Sequence, residues 1–243
     1  MKSLMTSLMS SNSVSTENKL REVMLPYYEQ DGITIYNGNA EHILDSFSSK
    51  QFDLCLTDPP YGIDYKYDGY EDTEDNLLKL INNTFGKILS SSKRVAVFSG
   101  VNNIWKYPKA DWTVSYSWDT TATYGALGYN QWQPILFYGK DIKGFGSVNG
   151  IIKSDSIKLS GGAEIGFLRT DKNLEHPCPK PLNIMKILIA RFTNEGDLVI
   201  DPFAGAGTTL LAAKRLGRKA VGIEQSRAYC DIAIKRLSQM ELF

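Results

Sequence analysis

Cysteine is scarce in this 243-residue chain, and Cys55, Cys178 and Cys230 are odd in number and far apart. That excludes a disulfide-stapled scaffold and leaves no paired metal-ligand spacing, so reduced thiols in a cytoplasmic protein are expected and no metal is. Long apolar runs are missing as well. Nothing approaches the roughly 20 residues that cross a bilayer. Residues 1–18 hold Leu4, Met5, Leu8 and Met9 but lack the continuous apolar stretch of a secretory signal; residues 1–20 read as a flexible tail. Net charge is zero, 27 Lys and Arg against 27 Asp and Glu, which is not the overall basicity of an ordinary nucleic-acid binder. No internal repeat is visible.

The charge that is present is unevenly placed. Between Glu41 and Asp75 ten acidic residues face only Lys50 and Lys66, a balance of −8; between Leu211 and Met240 seven basic residues face Glu224 and Asp231, a balance of +5. Two explanations stand: solvated faces that neutralise each other across the fold, or a local basic face for a nucleic acid.

Strand and helix patterns alternate. Ile33–Tyr36 reads as a short strand, and Asn39 is placed to cap a brief helix over 40–47. Phe52–Thr57 is a nearly unbroken apolar run stopped by a Pro-Pro pair, the pattern of a strand buried on both faces. Leu77, Leu78, Leu80, Ile81, Phe85, Ile88 and Leu89 predict a helix over 74–89. Strands follow at 94–98, 112–118 and 132–138, with a loop at 120–130 and an irregular, glycine-bearing insertion at 140–172. A helix over 181–192, a strand over 197–201, a helix over 207–216, a strand over 220–224 and a helix over 226–237 complete the chain. The expected fold is α/β, a mostly parallel sheet with helices on both faces and ligands at the C-terminal ends of the strands.

Two segments at such strand ends carry chemistry. Asp201-Pro202-Phe203-Ala204-Gly205-Ala206-Gly207-Thr208-Thr209 is a glycine turn between strand and helix, and Glu224 follows at the end of the next strand. Gly205 and Gly207 permit a sharp turn and close backbone approach, the helix start offers free amides, and Glu224 can accept bonds from two ribose hydroxyls. Leu210 stands where a dinucleotide fingerprint needs its third glycine, and no triphosphate-loop lysine is present. A nucleoside cofactor without a pyrophosphate fits best. The second segment is Asp58-Pro59-Pro60-Tyr61. An exocyclic ring amine is a poor nucleophile because its lone pair is delocalised. Two acceptors, the Asp58 carboxylate and a backbone carbonyl such as that of Pro59, draw the nitrogen toward tetrahedral geometry. The prolines stiffen the turn and remove competing donors, and Tyr61 can stack on a base taken out of its duplex.

With these residues in view, the chain resembles the S-adenosylmethionine-dependent DNA amino-methyltransferases that act on adenine N6 or cytosine N4. Asp58–Tyr61 matches their (Asp/Asn/Ser)-Pro-Pro-(Tyr/Phe) tetrapeptide, Asp201–Thr209 their cofactor turn, and His176-Pro177-Cys178-Pro179-Lys180-Pro181 a His-Pro-x-x-Lys-Pro motif. Catalytic motif first and cofactor motif last is the circularly permuted order called the beta class. The resemblance implies a Rossmann-like, seven-stranded methyltransferase sheet with one antiparallel strand. Residues 21–139 would form the catalytic half and residues 176–243 the cofactor half of one domain, with a short target-recognition insertion at 140–175. It implies catalysis by Asp58, Pro59, Pro60 and Tyr61. The cofactor, S-adenosyl-L-methionine, would be held by Asp201, Phe203, Gly205, Gly207, Thr208 and Glu224, with His176 and Lys180 at its methionine end. DNA is the implied substrate, membranes are not involved, and a homodimer or a separate recognition subunit is an expected partner because the insertion is short and carries a balance of only +1. Adenine N6 is the leading target because Asp at the first motif position is commoner among adenine enzymes. Cytosine N4, RNA, and an inactive DNA-binding accessory subunit are the alternatives.

Overall fold

A computed structural model describes residues 25–118, 123–125, 128–140, 147–148, 151–152, 154–159 and 180–239. The tail at 1–20, most of the insertion at 140–175, and His176 and Cys178 of the third motif lie outside them.

Nine strands form one sheet: β1 (Tyr28–Gln30), β2 (Ile33–Asn37), β3 (Leu54–Thr57), β4 (Val95–Phe98), β5 (Trp112–Trp118), β6 (Trp132–Tyr138), β7 (Ser156–Leu159), β8 (Leu198–Asp201) and β9 (Lys219–Glu224), in spatial order β1-β2-β9-β8-β3-β4-β6-β5-β7. The seven strands from β2 to β5 in that order are parallel except β6, which runs antiparallel to β4 and to β5. This is the expected seven-stranded sheet with one reversed strand. It is wider than expected by an edge strand on each side, β1 antiparallel to β2 and β7 parallel to β5. The insertion is therefore not wholly irregular, since β7 extends the main sheet and Ser147–Val148 pairs with Ile151–Ile152. Within the expected loop at 120–130, Thr123–Gly125 pairs with Gly128–Asn130.

Among the described residues five α-helices cover the sheet: α1 (Ala40–Ile43), α2 (Glu74–Ser91), α3 (Leu182–Phe192), α4 (Thr208–Arg215) and α5 (Arg227–Ser238). Strand side chains alternate between two cores. Leu54 and Leu56 point to the core built with α3, α4 and α5, and Cys55 points to the one built with α1 and α2. Local sequence fixes the helix ends. Thr73 caps α2 by accepting the Asn76 amide at 3.3 Å, with Glu74 and Asp75 in its first turn favouring the positive end. Asn39 caps α1 and Ser226 caps α5 in the same way. Cys55 and Cys230 are buried free thiols. Among the described residues no helix is long and apolar enough to cross a membrane.

Candidate active site

β3 and β8 are neighbours, so the two motifs leave the sheet side by side. The two strands are fastened at both ends of the pair, by backbone and side-chain bonds together. At the lower end the Asp53 amide donates to Leu198 O at 2.9 Å and the Asp53 carboxylate accepts the Leu198 amide at 2.9 Å. At the upper end the Thr57 hydroxyl donates to Asp201 Oδ1 at 2.6 Å. Asp201 is 3% exposed and also accepts the Thr209 hydroxyl at 2.5 Å and the Phe203 amide at 3.1 Å. Burial raises its pKa to about 6 against those donors, with the charge of Asp58 adding to the rise.

Asp58 and Pro60 share one cavity of about 440 Å³ with Lys180, Phe203, Gly205, Thr208 and Glu224, a volume within the roughly 300–1,000 Å³ of small-molecule sites. The expected residues around the cofactor turn do different jobs. Gly205 has φ +50°, and its amide donates to Glu224 Oε2 at 2.8 Å. The other carboxylate oxygen accepts the Ser226 amide at 2.8 Å. Glu224 thus stands aimed, each oxygen keeping lone-pair capacity for a ligand hydroxyl. Burial raises its pKa, opposed by those amide bonds. Gly207 does not line the cavity. It has φ +74°, and a methyl there would stand 2.7 Å from Ala233 Cβ, so its demand is the close contact of α4 with α5. Thr208 lines the cavity, with its hydroxyl held by Arg236 at 3.0 Å.

In the Asp58–Tyr61 segment, Tyr61 Oη donates to Asp58 Oδ1 at 2.5 Å. Burial first, then the Asp58 charge, pushes the Tyr61 hydroxyl well above its ordinary value, keeping it a donor. Asn103 holds the Tyr61 carbonyl at 2.8 Å. Lys180 reaches Asp58 Oδ2 at 2.6 Å across 122 residues of sequence. Lys180 thus pairs with Asp58 while lining the same cavity as Gly205, Thr208 and Glu224.

Sequence reasoning missed the cover of the cavity. After Tyr61 the chain forms a small hairpin, Lys66–Tyr67 with Tyr70–Glu71, and Tyr67, Asp68 and Tyr70 line the cavity. The Ser226 hydroxyl donates to Asp68 Oδ2 at 2.5 Å and Gln225 Nε2 donates to Gly69 O, latching the hairpin to the loop after Glu224. The Tyr70 hydroxyl is buried with no partner among the described residues, a donor available to a ligand. Asp68-Gly69 was the available signal, a two-residue turn between aromatic residues.

Several basic side chains of the C-terminal segment are held by other residues of the protein. Lys214 pairs with Asp31 at 3.0 Å, Arg218 donates to Thr193 O at 2.9 Å, Arg227 donates to the Tyr27 hydroxyl at 3.1 Å, and Arg236 donates to Ala206 O at 2.6 Å. Of these four only Lys214 meets an opposite charge in these bonds; the three arginines are held there by uncharged oxygens, which leave their charge unneutralised.

Comparison with known proteins gives the same reading. The model of a family described as DNA methylase matches residues 101–235, more than half of the chain. Over 241 residues the chain is 26% identical to the DNA adenine methyltransferase YhdJ of Escherichia coli K12, covering 84% of this chain and 82% of that protein. A stretch of 86 residues is 53% identical to the Type II methyltransferase M.HindIII of Haemophilus influenzae, 35% of this chain and 28% of that one. Among solved structures, PvuII DNA methyltransferase (cytosine-N4-specific) superimposes with a TM-score of 0.68 at 16% identity over 90% of each chain. The M1.HpyAVI complex with SAM superimposes with a TM-score of 0.60 at 22% identity, over 85% of this chain and 100% of that one. These superpositions show a shared fold.

Proposed function

The chain belongs to the DNA methylase family, N6/N4 type, and from that premise we propose that it transfers a methyl group from S-adenosylmethionine to the N6 amine of adenine in DNA. The observation that carries the reading is the single cavity lined by both Asp58 and Glu224. The residues present suit the cofactor: a half-buried carboxylate held by two amides for the ribose, a glycine turn at a helix start, and the Tyr70 hydroxyl, which has no partner among the described residues. When bound, the cofactor supplies a methyl group on a positive sulfur.

The chain's own work is positioning. Asp58 accepts one amine hydrogen and a backbone carbonyl, that of Pro59, accepts the other, which turns the nitrogen lone pair toward the methyl carbon. Tyr61 orients Asp58 and stacks on the extruded base. Pro59 and Pro60 keep the turn rigid. Phe203 packs beside the cofactor, Gly205 gives close backbone approach and aims Glu224, and Asp201 fixes the turn against β3. His176 belongs to this proposal by its motif alone. Target recognition falls to residues 140–175, with a homodimer or a separate subunit supplying further contacts, in the cytoplasm of a bacterial, archaeal or phage-infected cell. Adenine is favoured over cytosine by Asp58 at the first motif position and by the adenine activity named for YhdJ.

The test is nucleoside mass analysis of duplex DNA treated with enzyme and cofactor. N6-methyladenine is expected, and N4-methylcytosine as sole product would overturn the base assignment. Asp58→Ala should abolish turnover while retaining cofactor binding, and Glu224→Ala should weaken cofactor binding about tenfold or more by removing a charged acceptor. Equal loss of cofactor affinity in both variants would contradict the division of roles.

A further inference from the structure

Lys180 is placed to serve two sites. Its ammonium lies 2.6 Å from Asp58 Oδ2 and 3.0 Å from Tyr61 Oη, and 5.2 Å from the ring centroids of both Tyr61 and Phe98. With Tyr61 Oη on Oδ1, both oxygens of the catalytic carboxylate already accept a strong, charge-assisted or short bond. The lysine side chain is 10% exposed and that of Asp58 22%, so solvent does little to loosen the pair.

This arrangement holds Asp58 in place but conflicts with its use. The incoming amine needs an Asp58 oxygen as acceptor, and its nitrogen becomes positive as the methyl carbon bonds to it. A fixed ammonium beside that nitrogen opposes both events. A poorly solvated ammonium leaves one anion only for another. The same cavity is lined by Lys180 and by the turn at Gly205 and Thr208, and amides at a helix start such as that of α4 favour a carboxylate.

We propose that Lys180 is a positioning residue that couples the two ligands: it masks Asp58 in the empty site and transfers to the amino-acid carboxylate of the bound cofactor, which frees Asp58 for the target amine. The inference rests on the methyltransferase reading. No covalent bond changes in this step; an ion pair is exchanged. Cofactor and target base therefore bind with positive coupling, and the coupling is reciprocal.

The experiment is calorimetric titration of the full chain without DNA, using S-adenosylhomocysteine, which carries the carboxylate, and 5′-methylthioadenosine, which lacks it. In the wild type Lys180 must be drawn off Asp58. Asp58→Asn removes that competition and should bind S-adenosylhomocysteine on the order of fivefold more tightly, with methylthioadenosine affinity unchanged. Lys180→Met should weaken S-adenosylhomocysteine toward the methylthioadenosine value, and Asp58→Asn added to it should give no further gain. A purely structural ion pair would move both ligands alike. Unchanged or weaker S-adenosylhomocysteine binding in Asp58→Asn overturns the exchange. Failure of the wild type to bind either nucleoside overturns the cofactor reading itself, a separate and recognisable outcome.

Discussion

Asp201 shows how one buried side chain sets both geometry and pH response. It joins β3 to the turn after β8 through Thr57, Thr209 and the Phe203 amide. Desolvation outweighs those three donors and raises its pKa from 3.8 to about 6. Between those values the folded protein keeps a proton that the unfolded chain has released. The contribution of this site to stability therefore falls as pH rises from about 4 to about 6, by on the order of 3 kcal/mol at most. Asn at this position cannot ionise, and the threonine hydroxyls can rotate to meet its amide. Urea unfolding of wild type and Asp201→Asn at pH 4.5 and pH 7.5 should show the variant gaining on the wild type at the higher pH. A stability difference that does not move with pH would dismiss this account.

Between residue and molecule stands the segment from Gly62 to Asp72. Asp72 is 2% exposed, and its carboxylate accepts the amides of Gly62 at 2.6 Å and of Ile63 and Tyr65 at 3.2 Å. One acidic side chain thereby shapes the loop that runs from Tyr61 into the hairpin over the cavity. Asp72→Ala leaves three amides without their acceptor, each unmet donor costing about 1–3 kcal/mol if it stays buried. Opening the loop to water relieves that cost, so the damage should stay local. Hydrogen exchange at amides 62–65 should quicken at least about tenfold, and turnover should fall, while exchange in β3 and β8 stays slow. Equal acceleration in those central strands would mean that Asp72 supports the whole fold instead. The same segment marks the limit of what sequence could tell. Phe52–Thr57 and Asp201–Thr209 were legible because their signals are local: an apolar run stopped by prolines, and glycines between a strand and a helix. β1 and β7 were not, because edge strands are short and partly exposed and lack the apolar run of a central strand. The Asp58–Lys180 pair was invisible for a different reason, since spacing in sequence carries no information on an ion pair between loops that only the assembled sheet brings together.

At the scale of the molecule the two ends of the chain are interleaved. β8 and β9, from the last quarter, lie between β2 and β3 from the first quarter. Remove either half and the sheet is broken at its centre, with β3 losing β8 and β2 losing β9. Neither half has a complete core, because the helices α3, α4 and α5 pack on strands from both. Folding should therefore be a single cooperative transition. The sequence offers a convenient probe, for all four tryptophans, Trp105, Trp112, Trp118 and Trp132, lie before residue 140. Their fluorescence reports the first half, whereas the proposed ribose ligand Glu224 and the glycine turn lie in the last. A ligand at 100 times its dissociation constant stabilises the state that binds it by about 2.7 kcal/mol. With S-adenosylhomocysteine at that ratio, the tryptophan-detected urea midpoint should rise as far as the midpoint seen by far-ultraviolet circular dichroism. A tryptophan midpoint that stays put while the other moves would mean that the first half unfolds independently of the cofactor turn, and the interleaved sheet would not be the cooperative unit.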